Sequence, residues 1–301
     1  MIFSEMLLSS SMNDRTHSLK FSPLIICGFM LLASGVVHVV IWKNSGTPWE
    51  GPISFRKPVL FGISTGLTAI SLHCVWGAIR PRSLDKILQW FTALAILVEV
   101  SLITLQTWRG VPSHFNHSTV IDSAIHWCMD VCIVWITLII CDLTIQVFRN
   151  TASEGLQIIA YQQGMLLLVV SCMIGFFILW LGFQQQADGG NPSQFGNSGV
   201  MKYPHGIMIH AIQFLPCLAW SLSKKNRSNQ WGYWCLILAS VGCWGLLFFS
   251  LLQTFTGHAR FDMNSMNRCL LIISSVAITL PCIWALWLNT FHKVRQQVKD
   301  Q

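Results

Sequence analysis

Long apolar stretches with almost no charge recur along the chain near positions 21–42, 58–79, 87–106, 124–147, 157–183, 204–222, 231–253 and 267–290. Most reach or exceed the roughly 20 residues that a helix needs to cross a hydrocarbon core of about 30 Å. The pattern predicts an all-α polytopic helical bundle of about eight transmembrane helices. Trp42, Trp90, Trp108, Trp180, Trp220, Trp231 and Trp287 fall at or near the ends of these stretches. There an indole keeps its N–H in water and its ring in lipid.

The first stretch follows Arg15 and Lys20, as the h-region of a signal peptide would. It is longer than the roughly 7–15 apolar residues of such a region and reads as an uncleaved span. The sixth is short, holds His205 and His210 and contains Pro216; were it re-entrant, the C-terminus would change sides. Gly62 and Gly66 stand in a GxxxG spacing that lets another helix approach closely. The resulting organisation is an N-terminal segment, 1–20, one eight-span membrane domain, 21–290, and a C-terminal tail, 291–301.

Composition agrees with the pattern: 53% of the 301 residues are hydrophobic and 10% charged, against about 25% charged in soluble domains. Mean hydropathy is +0.54. The net charge of +7 comes from cations scattered through short loops, with no basic run or RNA motif, so the partner it implies is the lipid bilayer and no nucleic acid. All eleven cysteines lie within apolar stretches, where they read as small buried hydrophobes and not as a disulfide framework.

An even number of spans puts both termini on one side. That side carries twelve of the 19 Lys and Arg and the other carries seven, so the positive-inside rule makes the termini cytoplasmic. Seven of the ten histidines then fall on the opposite side: His38, His114, His117, His126, His205, His210 and His258.

Ionisable residues inside spans are costly, by about 2.5–3.5 kcal/mol at a helix centre, and face the bundle interior or a cavity. Here they are Glu99, Asp130 and Asp142, the last close to the cytoplasmic interface. Asp122, His126 and Asp130 are spaced i, i+4, i+8 and share one helical stripe. A carboxylate one turn from an imidazole can hold its tautomer, as a metal ligand or general base requires; the spacing equally suits a buried hydrogen-bonded pair. Gly206, His210, Gln213 and Cys217 share a face of the sixth span, from which His205 points away. His38 has Ser34 one turn below it, and Gln253 matches its depth on the seventh span.

These positions support three readings. In the first, His38, His126 and His210, with His114 next, ligate haem or a transition metal, with redox electron transfer as the chemistry and a redox protein or quinone as partner. Glu99, Asp130, Asp122, Gln213 and Gln253 then serve as proton relay or supporting shell. Arg56, Lys57 and Arg109 neutralise such acids, hold an anionic group or are snorkelling cations. In the second, Glu99, Asp130 and His126 serve a proton-coupled transporter or small-solute channel. Against it, the inner half offers mainly His73, Ser71, Thr68 and Asp142 as polar intramembrane groups. In the third, the polar network only fixes helix register. No HExxH, CxxCH, P-loop, dinucleotide fingerprint or Ser-His-Asp elbow specifies an enzyme class.

WEGPISFRKPVLFGISTG (49–66), RGVPSHFNHSTVID (109–122) and PHGIMIHAIQFLP (204–216) resemble a family of bacterial multipass membrane proteins that has no established activity. The likeness covers about 45 residues. It implies a shared architecture and a bacterial inner membrane, but no reaction. The ceramidase and progestin-receptor superfamily also groups histidines at a membrane face. Its late HxxxH spacing differs from His205 and His210, which are five apart, and this argues against membership.

Overall fold

The structure, a computed structural model, describes residues 22–51, 53–192, 194–223 and 230–297, with side chains through 287. The predicted cytoplasmic cations Arg15, Lys20, Lys224, Lys225, Arg227, Lys293, Arg295 and Lys299 lie outside the described side chains, and so do His17 and His292. The segment 1–20 and the last residues of the tail are likewise outside.

In chain order the elements are α1 (Pro23–Ser45), α2 (Arg56–Ala78), α3 (Asp85–Trp108), α4 (Val120–Arg149), α5 (Leu156–Ala187), β1 (Gln194–Phe195), β2 (Gly199–Val200), α6 (Lys202–Ile209), α7 (Ala211–Ser223), α8 (Gln230–Phe255) and α9 (Ser265–Gln297). Eight candidate spans result, α6 and α7 together forming the 22-residue sixth, Lys202–Ser223. At 1.5 Å per residue this stretch reaches about 33 Å, long enough to cross despite the break at His210. The architecture is all-α, as the hydrophobic pattern predicts, and the chain is an integral membrane protein.

Two compact units divide the described residues. The N-terminal unit holds residues 22–152 and 181–192, and the C-terminal unit holds 153–180 and 194–297. Helix α5 therefore contributes its residues through Trp180 to one unit and those from Leu181 to the other.

In the N-terminal unit α2 is the central helix and the most buried of the candidate spans. It packs on α1, α3 and α4, and the α1–α2 pair is the most extensive. Glycines make that pair close. A Cβ built on Gly62 would lie 2.9 Å from the Cα and N of Gly35 and from the carbonyl of Leu31. One on Gly66 would lie 2.8 Å from the carbonyl of Gly28. The GxxxG spacing thus meets a second glycine pair on α1, and backbone touches backbone.

Opposite ends of this unit are tied differently. At one end Arg82 bridges Asp85 and Asp142 (2.8 Å each), and Trp76 Nε1 donates to Asp85 Oδ1 at 3.1 Å. The backbone there pairs too: Arg80 N–H donates to the Asn150 carbonyl and Ala152 N–H to that of Ala78, both at 2.8 Å. Asp142, expected at an interface, is the α4 partner of this clamp. At the other end Thr119 caps α4, its Oγ1 accepting the Asp122 N–H at 3.1 Å.

The C-terminal unit packs α8 against α9, α6 and α7 over a core that includes Leu167, Leu215, Leu222, Leu236, Leu247 and Ala285. Its β1–β2 hairpin pairs Gln194 with Val200 and Phe195 with Gly199. Ser198 N–H donates to the Gly257 carbonyl at 2.9 Å, so the hairpin is fastened to the loop after α8.

Candidate functional site

The polar residues that the sequence singles out separate into those that hold the structure and those left without a structural task. His38 belongs to the first group. Its Nδ1 sits 2.8 Å from the Ser34 carbonyl, which can only accept, and its Nε2 lies 3.1 Å from Trp108 Nε1, which can only donate. One tautomer satisfies both bonds, and no ring lone pair remains for a metal. The expected ligand role of His38 does not fit this geometry. The ring is buried and joins α1 to the end of α3, with Phe55 stacked nearby at 6.3 Å.

Asp122 is also structural. It is 2% exposed and accepts from Arg109 Nη1 (2.7 Å), Gln106 Nε2 (3.1 Å), Thr119 Oγ1 (2.6 Å) and Ser118 Oγ (3.2 Å). Of the alternatives open to Arg109, the structure shows it neutralising an acid: its charge is spent on Asp122. Arg56 faces the exposed carboxylate of Glu50 at 3.7 Å, a screened surface contact. Lys57 Nζ donates to Ser113 Oγ at 3.1 Å, and Ser113 Oγ pairs with His114 Nδ1 at 2.9 Å. These contacts pin the 109–118 loop to the start of α2.

In the C-terminal unit His210 is exposed, with Nδ1 2.7 Å from Gln213 Oε1, a residue placed on the same face by the sequence. His205 is held elsewhere, its Nδ1 2.8 Å from the Ser171 carbonyl on α5. Gln253 donates at 2.6 Å to the carbonyls of both Ala259 and Asp262 and accepts from Asn267 Nδ2 at 2.8 Å. It is the staple of the α8–α9 loop, and these bonds engage both ends of the amide that a relay would need.

What remains is a chain of groups in the N-terminal unit. His126 is 2% exposed, and neither ring nitrogen has a hydrogen-bond partner. Its Nε2 lies 3.5 Å from Asp130 Oδ2, so the predicted i, i+4 pair forms, while Asp122 turns away to the loop. Glu99 is buried on α3, which packs against α4, and it lies within electrostatic reach of Asp130. On the other flank of His126 stands His117, exposed, with ring centroids 4.7 Å apart and planes at 89°. Phe183 packs on both imidazoles, at 5.9 Å from His117 and 5.5 Å from His126.

A strained loop holds this arrangement. Phe115 has φ 58°, the only described non-glycine residue at positive φ, a conformation that costs an L-residue about 1 kcal/mol or more. Its ring packs 5.3 Å from Phe183 over Gly182, and Gln186 Nε2 donates to its carbonyl at 2.9 Å. Asn116 spends its Oδ1 on Ser118 and leaves its buried Nδ2 without a partner. His117 and Phe183 were not among the site residues that spacing selected. The HFNH segment within the 109–122 motif was the signal that marked this loop.

Among the described residues no group of three or more His, Cys, Asp or Glu side chains is arranged to hold a metal ion. The proposed haem or metal ligand set of His38, His126, His210 and His114 is therefore not assembled within either unit. Comparison with protein-family models, with curated proteins and with solved structures found no match. The class that fold and site define is an eight-span, all-α integral membrane protein with a partly buried acid–imidazole cluster in its N-terminal unit.

Proposed function

We propose that this protein is a proton-coupled carrier or channel for a small polar solute, with Glu99, Asp130 and His126 as the groups that take up and release the proton. The observation that carries this reading is His126, buried with both ring nitrogens unbonded beside the Asp130 carboxylate. An unsatisfied buried polar group costs about 1–3 kcal/mol. A histidine kept only to fix helix register would be expected to hold the bonds that His38 and His205 hold. Imidazole is the side chain whose charge changes near physiological pH, and intramembrane acids mark ion pathways and proton relays.

Toward the Arg82 end of the same unit Thr68, Ser71, His73, Thr92 and Thr144 are buried, and the four hydroxyls among them donate to carbonyls one turn back on their own helices. By the count of Lys and Arg, the His126 end faces away from the cytoplasm. The likeness of segments 49–66, 109–122 and 204–216 to a bacterial multipass family supports an inner-membrane home.

Proteoliposomes containing a trapped pH dye test the reading. An inward proton gradient with a panel of small polar solutes outside should give solute-dependent acidification with the intact protein. Glu99→Gln or Asp130→Asn should cut it by about a hundredfold, the scale of a lost proton-transfer group. Acidification no faster than in protein-free vesicles for every solute, together with unchanged infrared carboxyl bands from acid to alkaline pH, would assign the cluster a purely structural role.

A further inference from the structure

Burial separates the two histidines of the cluster. His117 is exposed on the loop, and His126 is 2% exposed on α4. Beyond His126 the chain continues to half-buried Asp130 and buried Glu99. Exchange between water and a buried acid needs a carrier that can be protonated at the surface and can reach the interior. His117 is the exposed member of this chain of groups.

We propose, resting on the proton-uptake reading above, that His117 is the proton port of the site, passing protons between bulk water and His126. The step conserves charge. Imidazolium at His117 gives up an N–H proton and becomes neutral, and a lone pair on a His126 ring nitrogen takes that proton. His126 then carries the positive charge beside the Asp130 carboxylate, 3.5 Å away. Asp130 and Glu99 are the acceptors that follow.

The geometry constrains how the transfer happens. At 89° the edge of one ring points at the face of the other, so an N–H and a lone pair are not aligned at rest. Rotation of one imidazole, or one water between them, aligns them. His117 is the ring free to rotate, because exposed side chains change rotamer in picoseconds to nanoseconds.

Phe183 lies against both rings, and Phe115 backs Phe183. These aromatic walls limit water beside the passage, and they explain why the loop carries a phenylalanine in a left-handed conformation. The ionisable groups facing His117 come from α4, namely His126 and Asp130. From the end of α5 it meets the apolar ring of Phe183.

The test is a rapid pH jump on the full chain in lipid nanodiscs, with the carboxylic C=O and imidazole bands followed by infrared spectroscopy. His117→Ala should slow the approach to the new protonation state by about tenfold to a hundredfold while leaving its final amplitude unchanged. Free imidazole in the buffer should restore the rate, and His117→Gln should behave as the alanine variant does. A structural role for His117 would not yield to imidazole.

A rate in His117→Ala equal to that of the intact protein overturns the port. Loss of amplitude in both His117 variants also overturns it, since His117 would then belong to the buried site. A pH-independent spectrum in the intact protein, unaltered by Glu99→Gln, removes the proton-uptake reading itself and is distinguishable from both.

Discussion

Replacing Gly62 with alanine should destabilise the folded protein by about 1–3 kcal/mol, and replacing it with leucine by more than about 3 kcal/mol. In most helix interiors the change from glycine to alanine stabilises, by roughly 0.5–1 kcal/mol. The sign reverses here because the new Cβ would meet Gly35 Cα, Gly35 N and the Leu31 carbonyl, all at 2.9 Å. Those are backbone atoms of α1, and α1 can yield only by moving as a whole. In a bilayer, water exclusion adds little to pull helices together, so the pair is held by close contact, which separation forfeits. Gly77, on the same helix, has nothing within 4 Å of a built Cβ, so Gly77→Ala should be neutral or mildly stabilising. Denaturant titration in mixed micelles, followed by tryptophan fluorescence, measures both. A Gly62→Ala variant as stable as Gly77→Ala would mean that α1 and α2 do not pack through these glycines.

The same pair shows what the sequence makes legible. GxxxG on α2 announced a close helix approach, but its partner, Gly28 and Gly35 on α1, is seven residues apart and matches no short motif. The spans were readable because each depends only on a local run of apolar residues. Even the sixth, which a proline and two histidines made doubtful, keeps the length to cross. Orientation rests on charges that lie largely outside the described side chains, and no contact in the structure bears on it.

The site was legible in part, and the reason is the range over which each bond is made. The His126–Asp130 pair lies within one helix, so its i, i+4 spacing displayed it. The shared face of His210 and Gln213, which the structure joins by a hydrogen bond, was visible for the same reason. Sequence could not show that Trp108, 70 positions away, completes His38, or that Ser171, 34 positions away, holds His205. Before those partners are known, satisfied and unsatisfied histidines look alike. Conversely His117 carried no spacing signal, because it sits in a loop whose path is set by Phe115, Asn116 and the end of α5.

The N-terminal unit holds two pairs of acids, and their partners differ in kind. Asp85 and Asp142 share Arg82, whose Nε is 2.8 Å from Asp85 Oδ1 and whose Nη1 is 2.9 Å from Asp142 Oδ1. Asp130 has the His126 imidazole beside it instead, and Glu99 lies within electrostatic reach of Asp130. A guanidinium stays charged and can lock two carboxylates at fixed geometry, whereas an imidazole gives up its proton. Arg82→Ala should therefore cost about 2–3 kcal/mol, somewhat below the range for a fully buried pair because the Arg82 and Asp142 side chains keep 27% and 35% of their exposure. Arg82→Lys should recover only part of this, since an ammonium cannot fork between both acids. A double-mutant cycle of Arg82→Ala with Asp142→Ala should give a coupling of roughly 1–2 kcal/mol, and a value under about 0.5 kcal/mol would show that the clamp does not join α4 to the α2–α3 turn. Those variants should leave the infrared proton response of Glu99 and Asp130 in place. His126→Ala should change the proton response, and its effect on stability should come from lost packing on Phe183 and His117, because His126 has no hydrogen bond to lose.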